Sequence, residues 1–357
     1  MQTIALSYRG AQTQVPAAWL RLHCPCEECA LIDIGERRVL VAGPSDWDLA
    51  SVEQGQENTV VTWRSGHVST YPADFVQLMQ RKANRRRWEP QLWDTSHVVA
   101  EVRHDDLMSD AEVRRRALLD YRAHGLLVVR GVPTSGVPTE DFFDALRIPI
   151  WEGPFGLRSI DTRVQAVAYN VAETAEALPP HTDLAGYEWP PSGQMLHLLV
   201  NDTTGGESIA VDGWQALHSL RTDEPEMFDV LVDVPVAHRL FSENRETFAR
   251  APLVRLDTEG AVSGFRFSNQ TIQPLPLDEP RLAEWHLAYA ELTRRLLDPQ
   301  QAVSFKLEEG DAYLTHAHRV LHGRTAFATG GDRCIRDVYF EFDNVLALVD
   351  QLTGELF

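Results

Sequence analysis

The sequence predicts a mainly β fold with flanking helices, in which a closed jelly roll of two sheets follows a small β-rich domain. Short strand patterns separated by turn residues dominate the chain, and only a few segments show helical periodicity. Such a pattern is typical of two packed sheets covered by a few helices. The sequence contains neither GxGxxG nor GxxxxGK, which argues against a nucleotide-binding α/β fold.

The larger predicted domain spans residues 91–357. A helix is predicted over 111–124, because Ser109 or Asp110 can cap its start and Gly125 can end it. A buried strand follows over 126–131. Further helices are predicted over 139–146, 213–220 and 280–297. Further strands are predicted over 195–200, 234–240, 264–267, 303–307, 312–315 and 335–342.

The smaller predicted domain spans residues 1–90, with short strands over 38–41 and 59–63. Its boundary is placed near 85–90, where a basic run meets Pro90. A folded unit of under about 100 residues is only marginally stable without an additional stabilising element such as a bound metal ion. Three of the four cysteines, Cys24, Cys26 and Cys29, lie together in this domain and can form a structural Zn²⁺ site.

A tetrahedral zinc site needs a fourth ligand beside the three thiolates, and two histidines are near in sequence. His23 adjoins Cys24, which makes joint ligation awkward, whereas His67 lies in a strand-turn-strand pattern that can return to the loop. A cluster of reduced thiols without metal is the alternative. Cys334 stands alone and is expected to pack as a small hydrophobic residue.

Composition excludes several classes of protein. The 357 residues carry 52 acidic and 33 basic side chains, for a formal charge of −19, which repels nucleic acid and anionic membranes. No apolar run approaches the roughly 18 residues of a membrane span. The N-terminus lacks the pattern of a secretory signal, so a cytoplasmic enzyme is expected.

The chemistry is predicted from His181-Thr182-Asp183 and the distant His322. Two histidines and one carboxylate can bind Fe(II) on one face of an octahedron and leave positions open for a cosubstrate and O₂. His181 and Asp183 are two residues apart, and side chains at this spacing in an extended segment point to the same side. Since the chain has 13 histidines, an isolated His-x-Asp is common by chance and often structural.

An arginine after the distal histidine strengthens this interpretation. A guanidinium pairs bidentately with a carboxylate, as the dicarboxylate 2-oxoglutarate would require. Arg333 and Arg336 are the candidates, and strand alternation places them on opposite faces. The order His-x-Asp, His, Arg is expected of a 2-oxoglutarate-dependent oxygenase. His316 and His318 are expected not to be ligands.

With these motifs placed, the chain resembles the γ-butyrobetaine dioxygenase and trimethyllysine dioxygenase family almost from end to end. The similar segments are 20–29, 66–71, 169–172, 181–183, 190–191, 204–208, 211–213, 309–311, 319–324 and 333–339. The resemblance implies a jelly-roll oxygenase that uses Fe(II), 2-oxoglutarate and O₂, with ascorbate as a candidate reductant. It also implies a homodimer.

The resemblance further assigns roles to individual residues. It implies structural zinc on Cys24, Cys26, Cys29 and His67, and iron on His181, Asp183 and His322. Arg333 would bind the distal carboxylate of 2-oxoglutarate, because Ile335 and Tyr339 follow it at the family's spacing. Thr204 would hydrogen-bond the cosubstrate. The implied substrate residues are Asn170, Asn269 and Tyr339.

The implied substrate pocket departs from the family at four positions. Glu173, Glu152, Gly156 and Leu184 stand where relatives have aromatic residues that surround a trimethylammonium group. Asn170 and Asn269, which match the asparagines that hold the substrate carboxylate, are kept. We therefore hypothesise a small amino-acid-like substrate whose amine or guanidinium pairs with Glu173 and Glu152. A solvent-facing position of both glutamates is the alternative.

The expected reaction is hydroxylation of an unactivated C–H bond, with succinate and CO₂ as coproducts. The same chemistry can also desaturate or rearrange a substrate, and sequence does not separate these outcomes. Asp183 argues against a halogenase, which needs a vacant ligand position. The chain could instead be a non-catalytic binding protein or a zinc hydrolase, but neither function gives Arg333 a role.

Overall fold

The structure is a computed structural model that describes residues 2–31, 35–83, 88–152, 158–165, 168, 170–242 and 245–354. The chain divides into two compact units, Met1–Arg87 and Trp88–Phe357. The predicted boundary near residue 90 stays a prediction, since residues 84–87 of the basic run lie outside the described part. In the described part, no helix is both long enough and apolar enough to cross a membrane.

The N-terminal unit is rich in short strands that enclose one apolar core. Its core contains Leu20, Val61, Trp63 and Tyr71, all almost fully buried. The elements are β1 (Thr3–Tyr8), β2 (Ala11–Pro16), α1 (Ala17–Leu22), β3 (Ala30–Leu31), β4 (Glu36–Arg37), α2 (Pro44–Trp47), β5 (Leu49–Gln54), β6 (Asn58–Trp63), β7 (Val68–Pro72) and α3 (Phe75–Ala83).

One predicted strand of this unit is correct and one is wrong. The prediction over 59–63 is confirmed by β6, which pairs with β5 on one side and β7 on the other. The prediction over 38–41 is wrong, because β4 ends at Arg37 after pairing two residues with β3. Leu40 is 95% exposed, so its apolar character reflects no buried strand face.

The C-terminal unit holds most of the strands and all the longer helices. Its helices are α4 (His104–Ser109), α5 (Ala111–His124), α6 (Pro138–Leu146), α7 (Gly213–Asp223), α8 (Pro225–Asp233), α9 (Leu282–Leu296) and α10 (Phe342–Thr353). Its strands are β8 (Glu101–Arg103), β9 (Leu126–Arg130), β10 (Ile160–Arg163), β11 (Leu178–His181), β12 (Gly193–Asn201), β13 (Ser208–Asp212), β14 (Val236–Ser242), β15 (Arg245–Ala251), β16 (Val254–Leu256), β17 (Val262–Phe265), β18 (Ala302–Phe305), β19 (Ala312–His316), β20 (Val320–Arg324) and β21 (Arg333–Phe340).

Two sheets form the core of this unit and confirm the predicted jelly roll. The larger sheet has six strands in the order β10-β21-β12-β19-β9-β8, and the smaller has four in the order β11-β20-β13-β18. Side chains from both sheets pack together in one buried cluster, among them Leu196 and Leu198 of β12, Ala210 of β13, Tyr313 of β19 and Val320 of β20. This packing fixes the smaller sheet, which carries the predicted histidine ligands.

The helices cover the sheets, and local sequence signals explain their ends. Asp110 caps α5 by accepting from the backbone N–H groups of Glu112 and Val113, at 2.8 and 3.1 Å. Gly125 ends the helix in the left-handed region, at φ 74°. The strand predicted over 335–342 lies two residues earlier than expected. It spans Arg333–Phe340, and Phe342 starts α10 instead.

A buried ion pair ties distant segments of the C-terminal unit together. Arg319 and Asp212 are both fully buried, with Nη2 to Oδ2 at 2.7 Å and Nε to Oδ1 at 3.1 Å. The Arg319 guanidinium also donates to the carbonyls of Ala123 and Gln91. Asp212 in turn accepts from the backbone N–H of Trp93 and caps α7. The charges of this pair are therefore matched inside the fold, as burial requires.

Candidate metal and cosubstrate site

Pairing of two strands brings the predicted histidine ligands together. In the smaller sheet, His181 at the end of β11 lies directly opposite His322 in β20. The imidazole rings have centroids 4.4 Å apart. Gly323 makes this approach feasible, because a Cβ there would lie 2.5 Å from the carbonyl oxygen of Leu178. The register of β11 on β20, which sequence spacing does not give, sets this geometry.

Asp183 completes a group of three that could hold one metal ion. Its Oδ1 lies 3.2 Å from His181 Nε2, and its Oδ2 lies 3.9 Å from His322 Nε2. One ligand atom from each of the three residues falls within 4.8 Å of the others. His181 Nδ1 faces the carbonyl oxygen of Pro179 at 3.0 Å, which leaves Nε2 free of its proton and available to a metal.

The protonation of these groups suits metal binding. Burial, with a further contribution from His181, lowers the pKa of His322 to about 4, so its imidazole is neutral at neutral pH. Burial alone would raise the pKa of Asp183. The neighbouring His322 and His181, together with the Tyr339 hydroxyl, outweigh that effect and hold the pKa below its ordinary range. Neutral imidazole and ionised carboxylate are the forms that bind a metal.

Two buried side chains hold one oxygen of Asp183. Its Oδ2 accepts from Gln194 Nε2 at 2.7 Å and from the Tyr339 hydroxyl at 2.8 Å. The same Gln194 nitrogen lies 3.2 Å from Oδ1 of Asp337, a buried carboxyl whose pKa is raised by burial and by Asp183. With Oδ2 occupied, Oδ1 is the oxygen left to face a metal. The sequence predicts Tyr339 as a substrate residue, and no local sequence signal identifies Gln194.

Arg333 lies buried at the start of β21 without an acidic partner among the described residues. Its guanidinium donates to Asn201 Oδ1 and to the carbonyl of Gly206, both at 3.2 Å. Gly206 has φ 67°, and a Cβ there would lie 3.0 Å from Arg333 Nη1, so glycine is needed on both counts. Burial lowers the pKa of Arg333. A carboxylate bound here would therefore meet a buried cation that has no counter-charge of its own.

A second buried arginine, Arg324, also lies close to the Phe327 ring. The guanidinium carbons of Arg324 and Arg333 are 4.8 and 5.2 Å from the ring centroid. Arg324 donates to the carbonyls of Thr174, at 2.6 Å, and of Glu176 and Ala172. Burial and the nearby Arg333 lower the pKa of Arg324 to about 10. The N–H donors of Arg324 already bind carbonyls of the 172–176 segment. Of these two arginines, Arg333 is therefore the one with donors available to a ligand.

The other side chains that could compete for these roles are engaged elsewhere. Arg336 is paired with Asp161, with Nε to Oδ1 at 2.6 Å, so it does not compete with Arg333. His316 stacks on Phe342 with ring centroids 4.1 Å apart. His318 Nε2 faces the carbonyl oxygen of Pro190 at 2.8 Å. Neither histidine belongs to the triad, as the sequence predicted.

Three other predicted site residues, Asn170, Asn269 and Thr204, form no hydrogen bond with the triad in the described part of the chain. Asn170 caps a short 3₁₀ turn, with its side chain accepting from the backbone N–H of Glu173, which is half-buried. Asn269 is exposed and accepts from the Tyr289 hydroxyl at 3.3 Å. Thr204 is exposed on the turn that leads to Gly206, and its carbonyl accepts from Ala328. Their predicted ligand contacts stay predictions.

An aromatic cluster beside Asp183 was missed by sequence reasoning. Trp151 meets Tyr187 edge-to-face at a centroid distance of 5.3 Å and Tyr339 at 6.4 Å. The Trp151 backbone N–H also donates to the Tyr339 carbonyl. Glu152, by contrast, is exposed, and residues 153–157 of the same loop lie outside the described residues. The three rings come from separate segments, so no local pattern groups them.

The N-terminal unit contains a second group that could hold a metal. His67 Nε2 lies 3.4 Å from the sulfur atoms of Cys24 and Cys29 and 3.6 Å from that of Cys26. A tetrahedral zinc with bonds of about 2.3 Å to sulfur and 2.0 Å to nitrogen needs a separation of about 3.5 Å. His23 is not part of the group, since its Nδ1 faces the carbonyl oxygen of Trp19.

Polar neighbours support this second group. The Arg21 guanidinium donates to Cys29 Sγ at 3.1 Å, and the Ser69 hydroxyl donates to Cys24 Sγ at 3.0 Å. Glu28 Oε2 lies 3.4 Å from His67 Nδ1, which leaves Nε2 directed at the sulfur atoms. Three thiolates with Zn²⁺ carry one net negative charge, which Arg21 offsets. The donor set therefore fits structural zinc.

The family of the chain follows from comparison with known proteins. The family described as "Taurine catabolism dioxygenase TauD, TfdA family" matches residues 91–339, well over half of the sequence. The chain belongs to this family. A second description, "Gamma-butyrobetaine hydroxylase-like, N-terminal", matches residues 2–77. The TauD/TfdA match covers the jelly roll and both predicted halves of the triad.

Curated relatives place the chain more closely within this family. It is 32% identical to the gamma-butyrobetaine dioxygenase of Pseudomonas sp. (strain AK-1) over 93% of this chain and 88% of that protein. It is 26% identical to the human gamma-butyrobetaine dioxygenase over 96% and 92%. Bovine mitochondrial trimethyllysine dioxygenase is 25% identical over 96% and 83%. These matches confirm the resemblance and the prediction of a dioxygenase.

Solved structures agree on the fold. A taurine dioxygenase from Burkholderia xenovorans superposes with a TM-score of 0.50 at 18% identity, over 70% of this chain and 91% of that one. TauD/TfdA dioxygenases use Fe(II), 2-oxoglutarate and O₂, so this chain is an Fe(II)- and 2-oxoglutarate-dependent oxygenase. The donor types of the triad and the buried Arg333 guanidinium fit these two groups.

Proposed function

We propose that His181, Asp183 and His322 bind the catalytic Fe(II). The observation that carries this assignment is the convergence of two imidazoles and one carboxylate across the β11–β20 pair. Gln194 and Tyr339 would hold Oδ2 of Asp183 and keep the carboxylate monodentate, with Oδ1 turned to the metal. A carboxylate held in this way leaves more of the coordination sphere for the cosubstrate and O₂.

Arg333 would bind the distal carboxylate of 2-oxoglutarate. The support is a buried guanidinium that has only neutral partners among the described residues, Asn201 and Gly206. Thr204, on the turn before Gly206, would add a hydrogen bond to the cosubstrate. The bound iron supplies the oxidising chemistry, in which substrate, 2-oxoglutarate and O₂ give hydroxylated product, succinate and CO₂. The protein contributes binding, orientation and exclusion of competing reactions.

The proposed substrate is a small betaine- or amino-acid-like carboxylate with a cationic end. Tyr339, one of three clustered rings with Trp151 and Tyr187, hydrogen-bonds Asp183, and such rings attract a cation over their faces. The relatives named for γ-butyrobetaine and trimethyllysine support the same class. Asn170 and Asn269 would hold the substrate carboxylate.

A second candidate substrate is an unmethylated amine or guanidinium compound. Arg324 holds the 172–176 segment through its carbonyls, and this places half-buried Glu173 next to the strand that carries His322. A carboxylate there would form charge-assisted hydrogen bonds with an amine that a quaternary ammonium cannot form. Glu152 would contribute less, because its exposed side chain is solvated.

γ-Butyrobetaine and 4-aminobutyrate test the substrate proposal, because they differ only in three methyl groups. Succinate formation and product mass are measured for both with the wild-type protein and the Glu173→Gln variant. An aromatic site for the cation predicts a kcat/KM about tenfold higher for the betaine, little changed by the variant. The amine candidate predicts the reverse preference, lost in the variant. If neither compound nor a panel of other cationic carboxylates stimulates succinate formation, the substrate class is wrong.

Replacing Arg333 by glutamine is expected to raise the KM for 2-oxoglutarate at least about a hundredfold, because a buried charge-assisted carboxylate pair is lost. Initial rates at varied 2-oxoglutarate measure this. The control is Arg336→Gln, which removes the neighbouring guanidinium that faces Asp161 instead. A similar rise in both variants, or in neither, would contradict the assignment of Arg333.

Cys24, Cys26, Cys29 and His67 would hold structural zinc. The Cys29→Ser variant is expected to lose its one equivalent of zinc and to unfold its N-terminal unit at a lower temperature, since zinc binding free energy stabilises the fold directly. Metal analysis and thermal unfolding measure the two effects. Cys334→Ser, which changes the fourth cysteine, should keep the zinc. Retention of zinc by Cys29→Ser would remove this residue from the ligand set.

The remaining expectations concern the whole protein. The homodimer implied by the resemblance and the cytoplasmic location implied by composition stay predictions. Sedimentation of the purified protein would test the first, and fractionation of the source cells the second.

A further inference from the structure

A second pocket lies in the C-terminal unit, and its lining includes none of the residues proposed for iron, cosubstrate or substrate. Its volume is about 470 Å³, within the usual range of small-molecule sites. The lining is mainly apolar, and at the rim Trp189 is 68% exposed. The apolar lining residues include Val232, Leu253, Val254, Leu256 and Phe265.

The charged side chains that line this pocket are mostly positive. The lining contains three arginines, Arg250, Arg255 and Arg266, and one acidic residue, Glu188. In the described part of the chain, no carboxylate lies within 4 Å of the Arg250 or Arg255 guanidinium. This is unusual in a protein with a formal charge of −19, where acidic partners are abundant. The pocket is therefore a local concentration of unneutralised positive charge.

Arg255 is held in place by neutral groups. Its Nη2 donates to the Ser263 carbonyl at 3.0 Å, and its Nε donates to the Ser263 hydroxyl at 3.3 Å. The guanidinium carbon lies 5.6 Å from the centroid of the Trp189 ring. The Arg255 guanidinium thus lies over the Trp189 ring at the mouth of the pocket.

The cations in this pocket also repel one another. Burial and the neighbouring Arg255 both lower the pKa of Arg266. Burial, together with Arg255 and Arg266, lowers the pKa of His318 to about 4, although the hydrogen bond to Pro190 and the carboxylate of Asp343 act in the opposite direction. His318 is therefore neutral and adds no charge, and among the described lining residues only Glu188 offsets the arginines. An anion in the pocket would relieve this repulsion.

We propose that this pocket is a second ligand site that binds a small organic anion. The carboxylate would lie against Arg255, with Arg250 and Arg266 nearby, and an aromatic or aliphatic body would pack on Trp189 and Phe265. Apolar walls with a few fixed polar groups are typical of such sites. Inorganic anions would gain the charge contact alone and bind more weakly.

The pocket adjoins the segment that follows the proposed iron ligand Asp183. Arg266 donates to the carbonyls of Ala185, Tyr187 and Glu188, at 3.1, 3.0 and 2.9 Å. The same arginine lines the pocket, as do Glu188, Trp189 and Pro190 at the end of this segment. An anion bound there would therefore contact the group that fixes this segment.

The test compares 4-phenylbutyrate with its neutral analogue 4-phenylbutyramide. Each is titrated calorimetrically into the full-length, zinc-containing protein, saturated with Fe(II) and 2-oxoglutarate under anaerobic conditions so that the cosubstrate site is filled. The acid is expected to bind at least about tenfold more tightly than the amide, since charge-assisted hydrogen bonds to guanidinium are lost in the amide. Equal affinities, or no binding of the acid, would overturn the proposal.

Variants then locate the binding. Arg255→Gln and Trp189→Ala should each weaken the acid about tenfold. Arg239→Gln removes an equal charge from β14 that is paired with Glu246 outside the pocket, and it should leave the affinity unchanged. If Arg255→Gln and Trp189→Ala leave the affinity as it was, the ligand binds elsewhere and the proposal fails. It also fails if sedimentation shows that either variant converts a dimer to a monomer, because the pocket would then face a second copy.

Discussion

The Asp183→Ala variant is expected to lose iron binding and to reduce 2-oxoglutarate turnover by more than about a hundredfold. Changing a residue that only hydrogen-bonds a metal ligand already costs about 10–100-fold, and Asp183 is proposed as a ligand itself. The change removes the one anionic donor of the triad. It also leaves the Gln194 amide and the Tyr339 hydroxyl without their shared acceptor. Metal analysis and succinate formation measure the two losses.

The matched control for this variant is Asp233→Ala. Asp233 is an exposed carboxylate whose Oδ2 lies 3.0 Å from Arg281 Nη1, on helix α8. Its removal should leave iron binding and turnover near the wild-type values. The zinc content should be the same in all three proteins, because Asp183 and the cysteine cluster belong to different units. Normal iron content in Asp183→Ala would remove this carboxylate from the proposed ligand set.

The Arg319→Leu variant is expected to lower the free energy of unfolding by about 3–5 kcal/mol. Removing one member of a buried ion pair leaves the other charge buried and unpaired, which is the main origin of this cost. Asp212 would keep its bonds from the backbone N–H groups of Trp93 and Trp214 but lose its counter-charge. The carbonyls of Ala123 and Gln91 would lose a donor as well. Urea unfolding, followed by tryptophan fluorescence, measures the change.

The exposed pair of Arg281 and Asp233 provides the comparison for this second prediction. Arg281→Leu removes the same charge at the surface and should cost less than about 1 kcal/mol, because exposed pairs are screened by solvent. If the Arg319 and Arg281 variants are equally stable, Arg319 does not act as a buried structural cation. Other contacts would then have to join residues 91–93, 123 and 212.

Sequence reasoning reached the parts of the fold and site that local patterns encode. Helix α5 is predicted because Asp110 and Gly125 supply its capping signals. The triad is predicted because a histidine and a carboxylate two residues apart, with a second histidine far along the chain, form a ligand set that binds Fe(II). Arg333 is preferred over Arg336 by the family's spacing, and the structure pairs Arg336 with Asp161 instead.

The parts that were missed depend on contacts between distant segments. Gln194 and Tyr339 share Oδ2 of Asp183 because the register of β12 on β21 places them opposite each other. The cluster of Trp151, Tyr187 and Tyr339 joins three separate segments, so the substitutions at Glu173 and Leu184 suggested a less aromatic pocket than the structure contains. The strand predicted over 38–41 failed for a related reason. An apolar pattern does not show whether a partner strand is present.

The most direct measurement of the central claim is turnover under ¹⁸O₂, with mass analysis of both products. A hydroxylase that splits O₂ between cosubstrate and substrate should place one ¹⁸O atom in succinate and one in the product alcohol, in equal amounts. A product lighter by two hydrogens and free of ¹⁸O would mean desaturation. Consumption of substrate without labelled succinate would contradict a 2-oxoglutarate-dependent oxygenase altogether.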